Sequence, residues 1–463
     1  MPLFVDRAAS IPLRQQLANA LRDSIKAGHL GPRTRLPSSR ALATDLGVSR
    51  GVVTDAYAQL VAEGYIDQRQ GAAPRVRNLS QVEVTTTGDA DFKPRLTHEL
   101  VGTVPDLSLF PRKEWLAAVR RSLTGMPNSE LGYGDPRGTP EMREELASYL
   151  RRVRGVSGTG ERIVITHGYT QGLSLACRVL VRRGATHIAV ENPSDDDQWE
   201  VIRRAGLEVV PCPVDESGLI VDRVIERDVD AVVATPAHQF PTGAVMAPER
   251  RSQLAEWAAS NGKILIEDDY DSAYRYDRDP VGTIQGLAPE SCIQIGSVSK
   301  LLAPALRMGW MIIPSAMTGS VARERWATDG GHRAIDQRAF VEFILSGDLD
   351  RHLRQTRHIY RTRRDRLVKA LESAVPDGEI KGIAAGLHLV LRLPPGVEEG
   401  IVCKKMAQKG IHLRGIATYQ MGTEPLPPAL VVGYGAIADA SLEMIVRTLG
   451  LVIDEARPPA DRN

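Results

Sequence analysis

The sequence predicts a chain of two unlike folds: a small helical head with a helix-turn-helix and a two-stranded wing, then a large α/β body. The body is expected to hold a mixed, mostly parallel sheet and a small C-terminal α+β domain. Three observations carry this. Residues 1–77 contain closely spaced helix caps and glycine turns. From Asp106 onward, helices alternate with short apolar strands, the pattern of a parallel sheet covered on both faces. Finally, 463 residues with 43% hydrophobic content are too many for one ordinary domain and apolar enough to fill large cores.

The head is basic. Residues 1–77 hold 11 Lys/Arg against 6 Asp/Glu, although the whole chain has a formal net charge of only +1. A basic module on a near-neutral body points to a polyanionic partner. Ile11–Ala27 reads as an amphipathic helix, with Leu13, Leu17, Leu21 and Ile25 four residues apart. Pro37-Ser38-Ser39-Arg40 opens a second helix with a hydroxyl cap, and Gly47 closes it. Ser49 then caps a third helix from about Arg50 to Glu63. Two short helices joined by a glycine turn form a helix-turn-helix whose second helix enters the major groove of DNA. Gly64-Tyr65-Ile66 through Val76, with Gly71 near the middle, reads as a hairpin wing, while Leu42, Leu46, Val53, Tyr57 and Leu60 read as core.

Residues 78–105 lack sustained periodicity and include Val84-Thr85-Thr86-Thr87-Gly88-Asp89-Ala90-Asp91, so they read as a linker between the head and a body spanning 106–463. Strands are expected near 163, 187, 208, 231 and 263, and again at Met308–Ile313, with ligands collecting at their carboxyl ends. No apolar run of eighteen residues and no leader is seen, which implies a cytoplasmic protein with no membrane span. Cys177, Cys212, Cys292 and Cys403 are widely separated, read as reduced and structural, and imply no metal site.

Lys300 stands at the centre of the body. An apolar run ending Gly296-Ser297-Val298-Ser299-Lys300 delivers a lysine into a loop, and a partly buried ammonium has its pKa lowered toward the range of a nucleophile that condenses with aldehydes. A lone Ser-x-Ser-Lys equally suits a surface lysine; the upstream strand decides between the two. Lys263–Tyr270 is an apolar strand ending in Glu267, Asp268, Asp269 and Tyr270. Asp268 suits a pyridinium nitrogen, Tyr270 a phenolic ring oxygen, and Ser297, Ser299 and Arg307 a phosphate. A second phosphate-holding element follows Thr166, where His167-Gly168-Tyr169-Thr170-Gln171 enters a helix whose amides and Thr170 hydroxyl face the anion. These are the parts of a site for pyridoxal 5'-phosphate.

Ile266-Glu267-Asp268-Asp269-Tyr270-Asp271, followed about thirty residues later by Gly296-Ser297-Val298-Ser299-Lys300-Leu301-Leu302-Ala303-Pro304, resembles the aminotransferase-like half of the MocR/GabR family of transcription regulators. The stretch from Arg33 to Ile66 resembles the GntR-type winged helix that forms the other half. The resemblance implies a fold type I, pyridoxal-phosphate-dependent aminotransferase-like body with Lys300 as the Schiff-base lysine. It implies operator contacts from Arg40, Ser49, Arg50 and Thr54, a phosphate contact from Arg35, and Gly71 as a wing tip in the minor groove. It further implies a head-to-tail homodimer, in which Tyr133 of Tyr133-Gly134-Asp135-Pro136-Arg137-Gly138 reaches the phosphate of the neighbouring subunit. The effector would be a small amine, an amino acid or pyridoxal phosphate itself; the alternative is a working aminotransferase with an accessory head.

Several positions depart from that pattern. The wing tip reads Gln70-Gly71-Ala72-Ala73-Pro74 where relatives carry a Gly-Ser-Gly type of turn. Phe240 stands where the wider aminotransferase group has an asparagine, leaving His238 and Gln239 as nearby polar candidates for the cofactor. Asp195 takes the place of an aromatic that stacks on the cofactor ring, within Pro193-Ser194-Asp195-Asp196-Asp197; Tyr169 is the candidate substitute. Val431 occupies the approximate place of an arginine that clamps a substrate carboxylate, with Arg414 on the preceding strand as a candidate replacement. The basic helix Gly347–Leu367 suits either packing within the protein or a path for bound DNA.

Overall fold

The computed structural model describes residues 5–68, 72–78, 98–100, 102, 104–271, 273–276, 281–331, 333–423 and 426–458. The chain divides into two compact units, Met1–Pro94 and Arg95–Asn463.

In the first unit, helices α1 (Leu13–Lys26), α2 (Ser39–Leu46) and α3 (Arg50–Ala62) precede strands β1 (Ile66–Asp67) and β2 (Arg75–Val76), which pair antiparallel. The hydroxyl caps form as expected: Ser38 Oγ accepts from Ala41 N at 3.2 Å and Ser49 Oγ from Val52 N at 3.4 Å. Gly47 ends α2 at φ 63°, a left-handed conformation that a side chain would strain. Leu17, Leu21 and Ile25 from α1 meet Leu42, Val53, Tyr57, Leu60, Ile66 and Val76 in one core, with Leu46 partly buried against it. Tyr57 satisfies its buried hydroxyl by donating to the Pro37 carbonyl at 2.9 Å, which ties α3 to the turn before α2. Gly71, read as the wing tip, lies outside the described residues.

The second unit is built on an eight-stranded sheet of β4 (Ile163–Thr166), β5 (His187–Asn192), β6 (Glu208–Asp215), β7 (Gly218–Leu219), β8 (Ala231–Ala234), β9 (Ile264–Asp269), β10 (Cys292–Ser297) and β11 (Gly309–Ile312). Their spatial order is β4-β11-β10-β9-β8-β5-β6-β7. β10, β9, β8, β5 and β6 run parallel, and β11 is antiparallel to both its neighbours. A smaller antiparallel sheet is formed by strands Glu379–Lys381, His388–Arg392, Ala429–Gly433 and Arg414–Gly415. The apolar runs become buried strands: every residue of β4, β8, β10 and β11 is buried.

Within the stretch read as linker, His98–Glu99 forms strand β3, parallel to Ile411–His412, and Leu100 is buried in the body's core, so the body recruits chain ahead of Asp106. Residues 79–97 lie outside the described residues. The basic helix extends over Asp348–Ala374; its buried and half-buried arginines are used internally, while Arg354, Arg361 and Lys369 are exposed. Arg363, 4% exposed, bonds Asp106 at 3.0 Å and Asp439 at 2.9 Å, while Arg357 donates twice to the Ala273 carbonyl. Packing is therefore what the structure shows this helix doing. All four cysteines are free; Cys177, Cys212 and Cys292 are buried and Cys403 half-buried. Among the described residues no helix is long and apolar enough to cross a membrane.

Candidate cofactor cavity and nucleic-acid interface

The carboxyl ends of β4, β5, β8, β9 and β10 open onto a cavity of about 280 Å³. Its lining brings together Tyr169, Thr170, Asp268, Tyr270, Ser297, Ser299, Lys300 and Arg307, eight residues that the sequence had pointed to separately. Burial holds the Lys300 ammonium below the usual lysine range, while Asp195, Asp271 and Asp268 pull it the other way. A larger and mostly apolar cleft of about 410 Å³ lies elsewhere on the body, but its lysine, Lys381, is already paired with Glu379 at 2.6 Å.

Strand geometry explains how three successive acids in β9 serve three ends. Asp268 faces the cavity, with its Oδ1 buried and bonded to nothing in the described protein. Glu267 accepts from the amides of Ile284 and Gln285, each at 3.0 Å. Asp269 forms a two-pronged ion pair with Arg154 at 2.8 and 2.9 Å, both side chains being about 95% buried (6% and 5% exposed). Burial, then the neighbouring Asp195 and Asp269, push the Asp268 carboxyl well up from the ordinary carboxylate range.

At the other end of the cavity, Gly168 (φ 98°) starts helix Tyr169–Arg182. A Cβ placed there would lie 3.9 Å from both terminal nitrogens of Arg307 and from Ser297 Oγ, so guanidinium and hydroxyl converge on the backbone of the helix start. Arg307 itself adopts φ 45°, a conformation disfavoured for a side-chain-bearing residue. Ser297 Oγ donates to Ser299 Oγ at 2.8 Å and accepts from the Ser299 amide at 3.1 Å. Helix amides, two hydroxyls and an arginine make an anion site.

His238 is placed differently from the sequence expectation. It does not line the cavity but stands behind Tyr270, its Nδ1 lying 3.1 Å from Tyr270 Oη and 2.8 Å from Asp271 Oδ2. His388, 2% exposed, completes a cluster in which ligand-type atoms of His238, Asp271 and His388 lie within 4.8 Å of one another. The distances around His238 Nδ1 are those of hydrogen bonds, and a side chain at Gly386 (φ 69°) would collide with both Asp271 and His238, so the cluster is filled. It fixes the Tyr270 hydroxyl, whose pKa burial and then Asp271 raise well above the ordinary value.

Tyr133 is 91% exposed and lies outside this chain's own cavity, edge-on to Trp326. Tyr169 lines the cavity with its hydroxyl 3.2 Å from Gln198. Of the three aspartates, Asp195 and Asp197 line the cavity, whereas Asp196 turns to Arg414 at 3.5 Å. Arg414 also sits 5.9 Å over the Tyr419 ring and is not among the residues that line the cavity. Val431, 1% exposed, packs with Phe240 and Tyr419 against Tyr270. Sequence reading missed Ser194, Gln198, Thr235 and Pro304 in the lining; the signal available was their position just past strands β5, β8 and β10. It also missed Glu191, whose carboxyl burial raises to about 7 and which accepts from Thr235 Oγ1 at 2.5 Å.

In the head, Arg35, Arg40, Ser49, Arg50 and Thr54 are all exposed. Arg50 begins α3 and its Nε donates to Ser39 Oγ at 3.4 Å, linking the start of one helix to the start of the other. Ser49 and Thr54 partly spend their hydroxyls on local backbone, Thr54 Oγ1 donating to the Arg50 carbonyl at 2.9 Å.

Two families match different parts of the chain: bacterial regulatory proteins of the gntR family over residues 13–76, and aminotransferase class I and II over residues 101–447. Across 450 residues the chain is 31% identical to the HTH-type pyridoxine biosynthesis transcriptional regulator PdxR of Corynebacterium glutamicum, covering 96% of this chain and 97% of that one. It is 28% identical, again over 96% of its length and 95% of the relative's, to the probable rhizopine catabolism regulatory protein MocR of Rhizobium meliloti. The chain belongs to the MocR-type family of helix-turn-helix transcription regulators. Its MocR-type body also superposes on the crystal structure of an archaeal alanine:glyoxylate aminotransferase, with a TM-score of 0.71 and 26% identity over 78% of this chain and 91% of that one. The fold is thus that of the aminotransferases, and the gntR-type head makes the protein a DNA-binding one.

Proposed function

We propose that this MocR-type regulator binds pyridoxal 5'-phosphate at Lys300. As a cytoplasmic, head-to-tail homodimer, it couples occupancy of that cavity by a small amine or amino acid to the hold of its heads on operator DNA. The observation that carries the reading is the convergence of Lys300, Asp268, Thr170, Ser297, Ser299 and Arg307 on one cavity. The residues present fit the cofactor: Asp268 offers a buried oxygen without a partner to a ring nitrogen, and Arg307, the serines and the helix start offer donors to a phosphate. When bound, the cofactor supplies an aldehyde that condenses with amines and a ring that withdraws electrons. Lys300 would hold that aldehyde, Tyr270, fixed by His238 and Asp271, would serve the ring oxygen, and Tyr133 would serve the partner's phosphate across the dimer.

Regulation requires that the effector bind one head arrangement better than the other, whatever its affinity. A second reading, in which the cofactor is itself the effector, is favoured by the Corynebacterium relative, whose name carries pyridoxine biosynthesis. Against a working aminotransferase stands Val431, buried and apolar where a carboxylate clamp would sit, because a substrate carboxylate left without a bidentate arginine is poorly oriented.

The DNA half of the reading is tested at Arg50. Arg50→Ala is expected to weaken operator binding without changing the cofactor's absorbance, because head and body are separate compact units. A lost phosphate contact lowers the salt slope by about one unit, and a lost base contact costs roughly 1–3 kcal/mol and relaxes specificity at one position. Operator affinity unchanged at every salt concentration would remove α3 from the interface.

A further inference from the structure

We infer that the effector of this cavity is a cationic amine: a primary amine carrying a second ammonium or guanidinium group and no carboxylate, its distal cation held by Asp195 and Asp197. The inference rests on the reading of the cavity as an amine-sensing cofactor site and specifies what enters it. Its basis is the distribution of charge around the wall. The cations of the lining are Lys300 and Arg307, and both are committed, the first to the aldehyde and the second to the anion site at Gly168 and Ser297. Of the lining carboxylates, Asp268 is committed to the ring nitrogen. The charged groups left to meet an effector are Asp195 and Asp197, beside neutral lining from Ser194, Gln198, Thr235 and Phe240.

Two further observations point the same way. The nearest candidate to receive a carboxylate, Arg414, is occupied by Asp196 and lies against the Tyr419 ring. The place of a clamp is filled by Val431, packed with Phe240 and Tyr419. An effector carboxylate would therefore face two acids and no uncommitted lining cation, a repulsion that a partly buried site screens poorly, whereas an ammonium meets two acceptors. Asp195 already uses one oxygen to cap helix Asp196–Ala205, accepting from Asp197 N at 3.2 Å, which fixes its carboxylate in place. Burial raises the Asp195 carboxyl from the ordinary carboxylate range, and a cationic partner pulls it back down.

The test compares three ligands of one length on the cofactor-loaded, full-length protein: 1,5-diaminopentane, pentylamine and 5-aminopentanoate. Binding is read by calorimetry, by the cofactor's absorbance and by operator affinity. The diamine is expected to bind about tenfold or more tightly than pentylamine, with 5-aminopentanoate weakest, in line with a charge-assisted hydrogen bond gained or a repulsion met. Asp195→Asn and Asp197→Asn are each expected to reduce the diamine's advantage over pentylamine, and Asp197→Lys to move the preference toward 5-aminopentanoate. Equal binding of all three, or tighter binding of 5-aminopentanoate to the unaltered protein, would overturn the cationic effector while leaving amine sensing intact. A response to none of the three, with the cofactor demonstrably bound, would overturn amine sensing itself and this inference with it.

Discussion

Lys300→Ala is expected to abolish the visible absorbance of the cofactor-loaded protein while the fold survives. Lys300 is half-buried on the cavity wall, in the loop just after β10, and burial keeps its amine below the ordinary lysine range. Among the described residues no other lysine lines this cavity to take its place. The variant also removes a cation that acts on Asp195 and Asp268, so residual cofactor is held without a covalent bond, through Asp268 and the phosphate site, and is expected to be lost on dialysis. Absorbance and circular dichroism on the same sample check both halves. A folded variant with an unchanged band would show that another amine holds the cofactor.

Asp269→Ala is expected to destabilise the body by about 3–5 kcal/mol, the usual result of leaving a buried charge without its partner. Arg154 would keep one bond, from Nη1 to the Val281 carbonyl at 2.7 Å, but would lose both prongs to the carboxylate. Gln294 would lose an acceptor as well, and its own Oε1 is already buried without a partner. The double change Asp269→Leu with Arg154→Met recovers much of the loss, because an apolar pair of similar volume avoids the desolvation of two charges. Urea midpoints of the body's unfolding transition decide the matter. A single-variant shift equivalent to less than 1 kcal/mol would mean that water reaches Arg154 and that the pair is not the tie between helix Pro140–Arg154 and β9 that its burial indicates.

What was legible in the sequence was whatever is encoded locally. Ser38, Gly47 and Ser49 mark helix ends through bonds spanning three or four residues, so the head's helices fall where the caps put them. Apolar runs of four to six residues became β4, β8, β9 and β10, and residues just past their ends became the cavity. The fate of each acid in Glu267-Asp268-Asp269 was not legible, because the partners Ile284, Gln285 and Arg154 come from other elements. His238 illustrates the same limit: its chemistry was visible, but its place behind Tyr270 depends on Asp271 and on the close approach of Gly386. Composition left the basic helix open between packing and a path for DNA, because a packing partner such as Asp106, which meets Arg363, lies 257 residues away in the chain. A two-residue strand such as His98–Glu99 carries too short a pattern to be seen without its partner at Ile411–His412.

The central claim is that chemistry at Lys300 serves the heads rather than turnover. A true aminotransferase must release a carbonyl product, an aldehyde from a simple amine or a keto acid from an amino acid, and regenerate the cofactor's aldehyde with a second substrate, whereas a sensor need only bind and change shape. One preparation titrated with a responsive amine in the presence of a keto-acid acceptor tests this directly, with release of the amine's carbonyl product and operator affinity followed at the same amine concentrations. The account predicts that operator affinity moves in step with the cofactor's absorbance, by a coupling of about 1–3 kcal/mol, while the carbonyl product does not accumulate beyond a single equivalent. Sustained production of that carbonyl compound with operator affinity untouched would contradict it.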